Sequence, residues 1–327
     1  MKAIVCTKYG PLDVLSFEEV QKPTPGDDEV LVQVFASSVN YGNVALVKGE
    51  PFMSRLWSGL SKPKDPIPGG DVAGRVEAVG KNVTQLQPGD EVYGDTSSCG
   101  FGAFAEYVAA PANMFALKPA NVSFEEAAAV PQAALVALQG LRDKGQIQAG
   151  QKVLINGASG GNGTFAVQIA KAYGTEVTAV CSTRNVEMVR AIGADHVIDY
   201  TQENFAENEG QYDLIFATGG DRPISDYKRA LSPSGTYVSA GGSMKQVFQG
   251  MLLGPFMSMG GSQTLTSLYQ RPNQDDLVFM KGLIEDGKVK PVIDKSYPLS
   301  EAADALRYYA EGHSQGKVVI TVAHDGE

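Results

Sequence analysis

Eight residues near the middle of the chain, Asn156-Gly157-Ala158-Ser159-Gly160-Gly161-Asn162-Gly163, have the make-up of a backbone cradle for phosphate. Within them, Ala158-x-Gly160-x-x-Gly163 fits a dinucleotide fingerprint with alanine in the first position. In that pattern Gly160 lets backbone approach a pyrophosphate, and Gly163 lets a helix pack closely on its strand. The helix start offers free N–H groups and a partial positive charge to the phosphates. Ser159, Gly161 and Asn162 complete the set of loop contacts. An ordinary turn in a glycine-rich chain could carry the same letters, so context decides. Val153-Leu154-Ile155-Asn156 reads as a short buried strand before the loop. A helix over Thr164–Tyr173, stopped by Gly174, reads after it. The chemistry implied is hydride transfer with a nicotinamide dinucleotide.

The phosphorylation state of that dinucleotide is read at the end of the next strand, Glu176 to Ser182. A site for NADH places a carboxylate there, roughly 20 residues past the loop, on the ribose hydroxyls. The sequence instead has Cys181-Ser182-Thr183-Arg184. Glu176 lies at the wrong edge of the sheet. Ser182 and Arg184 suit a 2′-phosphate, which a carboxylate would repel. NADPH is therefore the expected cofactor. The plainer reading of Arg184 is a solvated surface arginine.

Elements that would position these residues follow a regular order. After the second strand come a helix Asn185–Ile192, a strand His196–Tyr200, a strand Tyr212–Thr218, a helix Ser225–Leu231 and a strand Gly235–Ala240. This alternation predicts an α/β fold, a Rossmann-type doubly wound parallel sheet. The first third differs. Short strands at 30–35, 72–80 and from 91, set off by Gly80-Lys81-Asn82 and Pro88-Gly89-Asp90, predict a small β-rich barrel or sandwich. The tail predicts helices near Asp275–Asp286 and Ser300–Glu311, with Ser300 as an N-cap, and a last strand Lys317–Val322.

Composition narrows the partners. Of 327 residues, 27 are Lys or Arg and 37 are Asp or Glu, a formal charge of −10. Such a surface disfavours nucleic acid and anionic lipid. The three cysteines, Cys6, Cys99 and Cys181, are scattered and form no framework, which fits a cytoplasmic location. The apolar stretch at Met1–Lys8 is too short for a signal-peptide core, and no apolar run has the length of a membrane span.

Several segments together resemble the zinc-independent quinone oxidoreductase branch of the medium-chain dehydrogenase/reductases, the group that includes zeta-crystallin. They are Met1-Lys2-Ala3-Ile4, Ser38-Val39-Asn40-Tyr41, Pro68-Gly69-Gly70-Asp71-Val72-Ala73-Gly74 and Pro88-Gly89-Asp90-Glu91-Val92-Tyr93-Gly94. The glycine loop, Gly193-Ala194-Asp195 with Ile198-Asp199-Tyr200, and Gly316-Lys317-Val318-Val319 complete the set. The resemblance implies a GroES-like catalytic domain from 1–123 and 268–327, a Rossmann NADPH-binding domain at 124–267, and NADPH held between them. It further implies that Tyr200 joins Ser182 and Arg184 around the 2′-phosphate. Asn40 would stand beside the nicotinamide, although a bare reading makes it a turn residue. Tyr41 and Tyr93 are conceivable proton donors, with packing the plainer role. Val136, where relatives often carry threonine, Ala240-Gly241-Gly242 and Lys317 complete the expected cofactor contacts. Asn43 replaces a common aspartate. A homodimer is expected through a sheet edge near Ser262–Leu268.

Zinc-dependent relatives carry Gly-His-Glu where this chain has Gly69-Gly70-Asp71. No histidine precedes His196, and only Cys99 falls in the structural-zinc region, so no metal is expected. Without a Lewis acid, reduction of quinones or α,β-unsaturated carbonyls is favoured over alcohol oxidation. An apolar acceptor pocket is expected from Phe52, Trp57, Tyr93 and Met257, the last from a Met-rich stretch. Quinone reductase, enal or enone double-bond reductase, and a non-catalytic NADPH-binding sensor stay open, with a zinc alcohol dehydrogenase ranked fourth behind them.

Overall fold

The computed structural model of the chain describes residues 1–207, 209–220, 222–241 and 262–324, with the Trp57 side chain outside that description. It divides into two compact units. One comprises Met1–Gln132, Arg271–Glu285 and Pro291–Glu327, the other Ala133–Gln270 and Asp286–Lys290.

The first unit opens with β1 (Lys2–Cys6) and β2 (Leu15–Glu19), paired antiparallel. Then come β3 (Glu29–Ser38), β4 (Asp71–Val79), β5 (Glu91–Asp95), β6 (Tyr107–Pro111) and β7 (Phe115–Leu117). The long β3 is the hub, antiparallel to both β4 and β6. Val30, Val32 and Val34 in β3 are fully buried, so their period-2 spacing turns one face to the core. Helices α1 (Tyr41–Lys48), α2 (Arg55–Ser58) and α3 (Phe124–Ala128) lie in the connections. Ser123 caps α3 with Glu126 in a reciprocal box.

The second unit starts within α4 (Pro131–Leu138). It continues through β8 (Lys152–Asn156), α5 (Gly161–Ala172), β9 (Glu176–Cys181), α6 (Val186–Ala191) and β10 (His196–Asp199). After these come β11 (Tyr212–Ala217), α7 (Ile224–Ala230), β12 (Leu231–Ser239) and β13 (Thr264–Ser267). The six strands form one parallel sheet in the order β10-β9-β8-β11-β12-β13. The chain builds outward from β8 first to one side and then to the other. The carboxyl end of β8 is thus the topological switch point, where open α/β sheets bind ligands. Among the described residues β13 lies at the edge of this sheet, where the segment 262–268 is expected.

The tail adds α8 (Gln274–Glu285), β14 (Ile293–Pro298), α9 (Ala302–Ala310) and β15 (Lys317–Thr321). β15 pairs antiparallel with β3, Val319 opposite Ser38, which returns the chain to its first unit. Among the described residues no helix is long and apolar enough to cross a membrane.

Four expectations shift. The helix after the glycine loop starts at Gly161, not Thr164, because the loop itself forms its first turn. Ser300 lies inside a single 3-10 turn, Leu299–Glu301, and Glu301 directly precedes α9. Asn40 ends no simple turn: it precedes α1, where its N–H donates to Asn43 Oδ1 at 2.8 Å. The division expected at 123/124 falls at 132/133 instead, since α3 packs on β3 and β4. Residues 286–290 join the second unit. There Gln168 of α5 donates to the Lys290 carbonyl and accepts from its N–H.

Candidate functional site

In the second unit the loop from β8 to α5 is braced on three sides. The Gly157 and Ala158 N–H groups donate to the Val180 carbonyl of β9 at 3.2 and 3.1 Å. Asn156 Nδ2 donates to the Gly219 carbonyl at 3.0 Å and to the Tyr227 hydroxyl at 2.6 Å. Thr218 Oγ1 reaches the Asn156 and Gly157 carbonyls. A Cβ on Gly163 would stand 2.0 Å from the Gly157 oxygen, so helix and loop touch there through backbone alone. A Cβ on Gly160 would meet no atom of the described residues nearer than 3.6 Å. The protein's own packing therefore leaves room for a side chain at Gly160, and the space there is what an approaching pyrophosphate needs. Gly160 precedes α5 without a side-chain cap, which leaves that helix start to a ligand.

Ser182 follows β9 and opens a single turn, Thr183–Asn185. Arg184 in that turn is exposed, as is Tyr200, whose N–H donates to the Cys181 carbonyl at 3.0 Å. Backbone pairing thus brings Tyr200 beside Ser182. Ala240 continues β12, its N–H bonded to the Ala217 carbonyl. A Cβ on Gly241 would lie 2.5 Å from the Thr218 carbonyl. Val136 is half-buried on α4. Gly242 and Met257 lie outside the described residues.

Sequence reading missed Asp199. It sits opposite Cys181 in the β9/β10 register, a carboxylate beside the ribose end of the site. Its two oxygens are already filled. Oδ2 accepts from Thr183 Oγ1 at 2.6 Å and Gln202 Nε2 at 3.0 Å; Oδ1 accepts from the Thr201 N–H at 3.0 Å and Thr201 Oγ1 at 2.8 Å. A carboxylate has about four lone-pair sites. None is left for ribose hydroxyls, so Asp199 is unfit as the ribose carboxylate of an NADH site. The Thr183 hydroxyl above all, with the Thr201 and Gln202 donors, holds its pKa below the ordinary value. A depressed acid stabilises the fold above its unfolded pKa and loses that contribution as pH falls through the folded one. Asp199→Asn will therefore flatten the acid limb of a thermal-melt series taken down through pH 3.8, and an unchanged limb would count against this network.

The first unit holds a second constellation. Asp71 is fully buried. Its Oδ1 accepts from the Gln132 N–H at 2.9 Å; its Oδ2 accepts from Ser38 Oγ at 2.5 Å and Asn40 Nδ2 at 2.7 Å, with Lys317 Nζ at 3.4 Å. Lys317 is 2% exposed, and its ammonium also donates to Asn40 Oδ1 at 2.5 Å and the Val39 carbonyl at 3.2 Å. Three N–H donors meet three acceptors. Lys317, expected among cofactor contacts, is here the cation of a buried ion pair. Burial, against the nearby carboxylates, lowers its pKa from the ordinary value.

This network fixes the Asn40 amide. Lysine can only donate, so Oδ1 must face it; the carboxylate accepts, so Nδ2 must face that. One Nδ2 hydrogen has no protein acceptor among the described residues. Asn40 therefore presents an N–H donor, not a carbonyl. Tyr41 is 59% exposed at the first position of α1. Asn43, in place of an aspartate, accepts from the Asn40 backbone and is buried.

Of the residues expected at an acceptor pocket, the Trp57 side chain and Met257 lie outside the described residues. Tyr93 is wholly buried and its hydroxyl donates to the Leu277 carbonyl at 2.6 Å, which makes it a core residue with no proton to lend. Phe52 is 67% exposed in a single 3-10 turn.

Comparison with known proteins gives consistent results. Residues 26–120 match the family profile "Alcohol dehydrogenase GroES-like domain", and residues 192–320 match "Zinc-binding dehydrogenase". The chain is 35% identical, over 98% of its length and 79% of the relative's, to an NADPH-dependent alkenal/one oxidoreductase, chloroplastic, of Arabidopsis thaliana. It is also 35% identical to a chloroplast envelope quinone oxidoreductase homolog of that plant, over 94% of this chain and 93% of the relative. Among solved structures, the quinone oxidoreductase from Coxiella burnetii superposes with a TM-score of 0.87 at 30% identity, covering 99% of each chain.

Proposed function

The chain belongs to the medium-chain dehydrogenase/reductase superfamily, among its quinone oxidoreductases and alkenal reductases, and on that footing we propose that it is a zinc-free, NADPH-dependent reductase of quinones and other conjugated carbonyl compounds. The observation that carries this reading is the ribose end of the dinucleotide site. Among the described residues the strand-end carboxylate Asp199 has no lone pair to offer, and backbone pairing sets Tyr200 beside Ser182, two residues before Arg184, which supports a 2′-phosphate seat there. Bound NADPH supplies the hydride. The chain's own residues bind, orient and polarise. The glycine loop and the α5 start seat the pyrophosphate. Asn40, locked by Lys317 and Asp71, offers one N–H to the acceptor oxygen as negative charge develops on it. Tyr93 is committed to Leu277, so the final proton is left to water or the exposed Tyr41 hydroxyl.

Donor chemistry supports the zinc-free reading. Asp71 stands in the Gly69-Gly70-Asp71 segment with its oxygens turned to Ser38, Asn40, Gln132 and the Lys317 ammonium. A cation already occupies the place where that carboxylate could serve a metal. Among the described residues no three His, Cys, Asp or Glu side chains gather into a metal-holding group. Elemental analysis should return far less than one zinc per chain; one tightly held zinc would overturn this part. The cofactor reading predicts NADPH binding tighter than NADH by on the order of tenfold, the value of one charge-assisted hydrogen bond. Equal dissociation constants by calorimetry would defeat it.

A double-bond reductase acting on enals and enones is the second reading, favoured by the alkenal/one relative. Both acceptor classes are electrophiles that alkylate thiolates. The cysteines are guarded against this. The Cys99 pKa is pushed up to about 11 by partial burial and then the Asp95, Glu29 and Asp65 charges, and that of Cys181 to about 11 by burial and Asp199. Both thiols stay protonated at neutral pH. Mass spectra after incubation with an enal at pH 7 should show little adduct at Cys99, with adduct rising steeply in strong alkali. Unpaired cysteines suit a reducing compartment such as the cytoplasm. We also propose a homodimer through the β13 edge, which a monomer mass by light scattering would reject.

A further inference from the structure

Two serine hydroxyls of the second unit converge on one buried amide. Ser159 belongs to the glycine loop and Ser182 follows β9. Asn185, 4% exposed, ends the turn after it. Its Nδ2 donates to Ser159 Oγ at 2.8 Å and to Ser182 Oγ at 3.2 Å. Both hydrogens of one amide are thus placed on the oxygens of two different residues. Neither hydroxyl donates to any acceptor among the described residues, and Ser182 makes no side-chain cap bond to its turn. A hydroxyl carries one hydrogen and two lone pairs. With its oxygen held by Asn185, each serine must aim that hydrogen away from the amide. Both serines are half-buried, so each hydrogen meets solvent in the free protein and is open to a ligand oxygen.

The geometry points to Asn185 as a positioning residue for cofactor choice: it turns the Ser159 hydrogen to the pyrophosphate and the Ser182 hydrogen to the 2′-phosphate, coupling the two anion seats. The inference rests on the NADPH reading above. Had the amide oxygen faced the serines, it would have consumed one hydroxyl hydrogen, and that serine would have met a phosphate with lone pairs only.

The test is a double-mutant cycle read by calorimetry with NADPH and NADH on the whole chain. Asn185→Ala should weaken NADPH more than NADH by about five- to tenfold, since the freed Ser182 hydroxyl loses part of one charged hydrogen bond that only NADPH makes, while the Ser159 share falls on both cofactors alike. In a Ser182→Ala background, Asn185→Ala should leave the NADPH/NADH ratio nearly unchanged, because the residue acts through that serine. Asn185→Asp, close in shape, should draw both hydroxyl hydrogens inward and weaken NADPH further. It keeps the test open if the alanine variant folds poorly. An NADPH/NADH ratio unchanged by Asn185→Ala, or additive effects on that ratio in the cycle, would overturn the inference and leave Asn185 a merely structural residue. If the wild-type chain shows no preference for NADPH, the cofactor reading itself fails. A preference in the wild type that survives Asn185→Ala sinks this inference alone.

Discussion

Gly163→Val will lose NADPH binding by more than about 100-fold, while Gly160→Ala will lose binding without losing stability. The two glycines sit in one loop but are required for different reasons. At Gly163 even a Cβ would lie 2.0 Å from the Gly157 oxygen and 2.7 Å from Ala158 backbone atoms. Those neighbours are main chain and cannot rotate aside, so the loop or α5 must shift. Overpacking of this kind costs about 1–3 kcal/mol of stability. The shift also pulls the loop away from the pyrophosphate, and losing two charge-assisted hydrogen bonds costs about 3–6 kcal/mol of affinity. At Gly160 the nearest atom of the described residues to a Cβ is 3.6 Å away, so alanine fits among them. Its methyl would intrude only on a bound pyrophosphate. Melting temperature and calorimetry on both variants separate the two roles. Gly160→Ala binding NADPH as the parent does would place the pyrophosphate elsewhere.

Lys317→Met will destabilise the chain by about 3–5 kcal/mol, the usual cost of stranding one partner of a buried ion pair. Asp71 would keep its Ser38, Asn40 and Gln132 donors but lose the one cation paired with it among the described residues. Asp71→Asn in the same chain should restore part of the loss, because neither charge then remains. The ammonium's pKa is lowered by burial, so between the folded and unfolded values the unfolded chain binds more protons. Stability from this group therefore rises with pH through the alkaline range below 10.5, and Lys317→Met should lack that rise. The variant also frees the Asn40 amide to flip. If Asn40 serves the acceptor as an N–H donor, kcat falls in the folded fraction while NADPH affinity holds. Denaturant melts across pH, with single-turnover rates, check the two effects separately.

Much of this was legible in the sequence where the determinants are local. The loop, its flanking strand and the switch to helix occupy consecutive residues, and β8 to β12 each form within a few residues of their expected bounds. What stayed hidden was built across long sequence distances. Asp71 could be read as a departure from Gly-His-Glu, yet its partnership with Lys317 depends on β15 returning to β3. Tyr93 looked like a pocket residue because nothing local revealed Leu277 as its partner. Asn185 was read only as a helix start, since its link to Ser159 crosses from one βα turn to the next. Asp199 carried a local clue, in Thr201 and Gln202 just after it. An acid followed by two side-chain donors is being satisfied by the protein.

The most direct measurement is NADPH consumption, followed by absorbance, with a bulky ortho-quinone and an aliphatic enal side by side on chelator-dialysed protein. Turnover of at least one acceptor is expected without added metal, with NADH a poorer donor. Turnover only after zinc is restored, or tight NADPH binding with neither acceptor reduced, would contradict it.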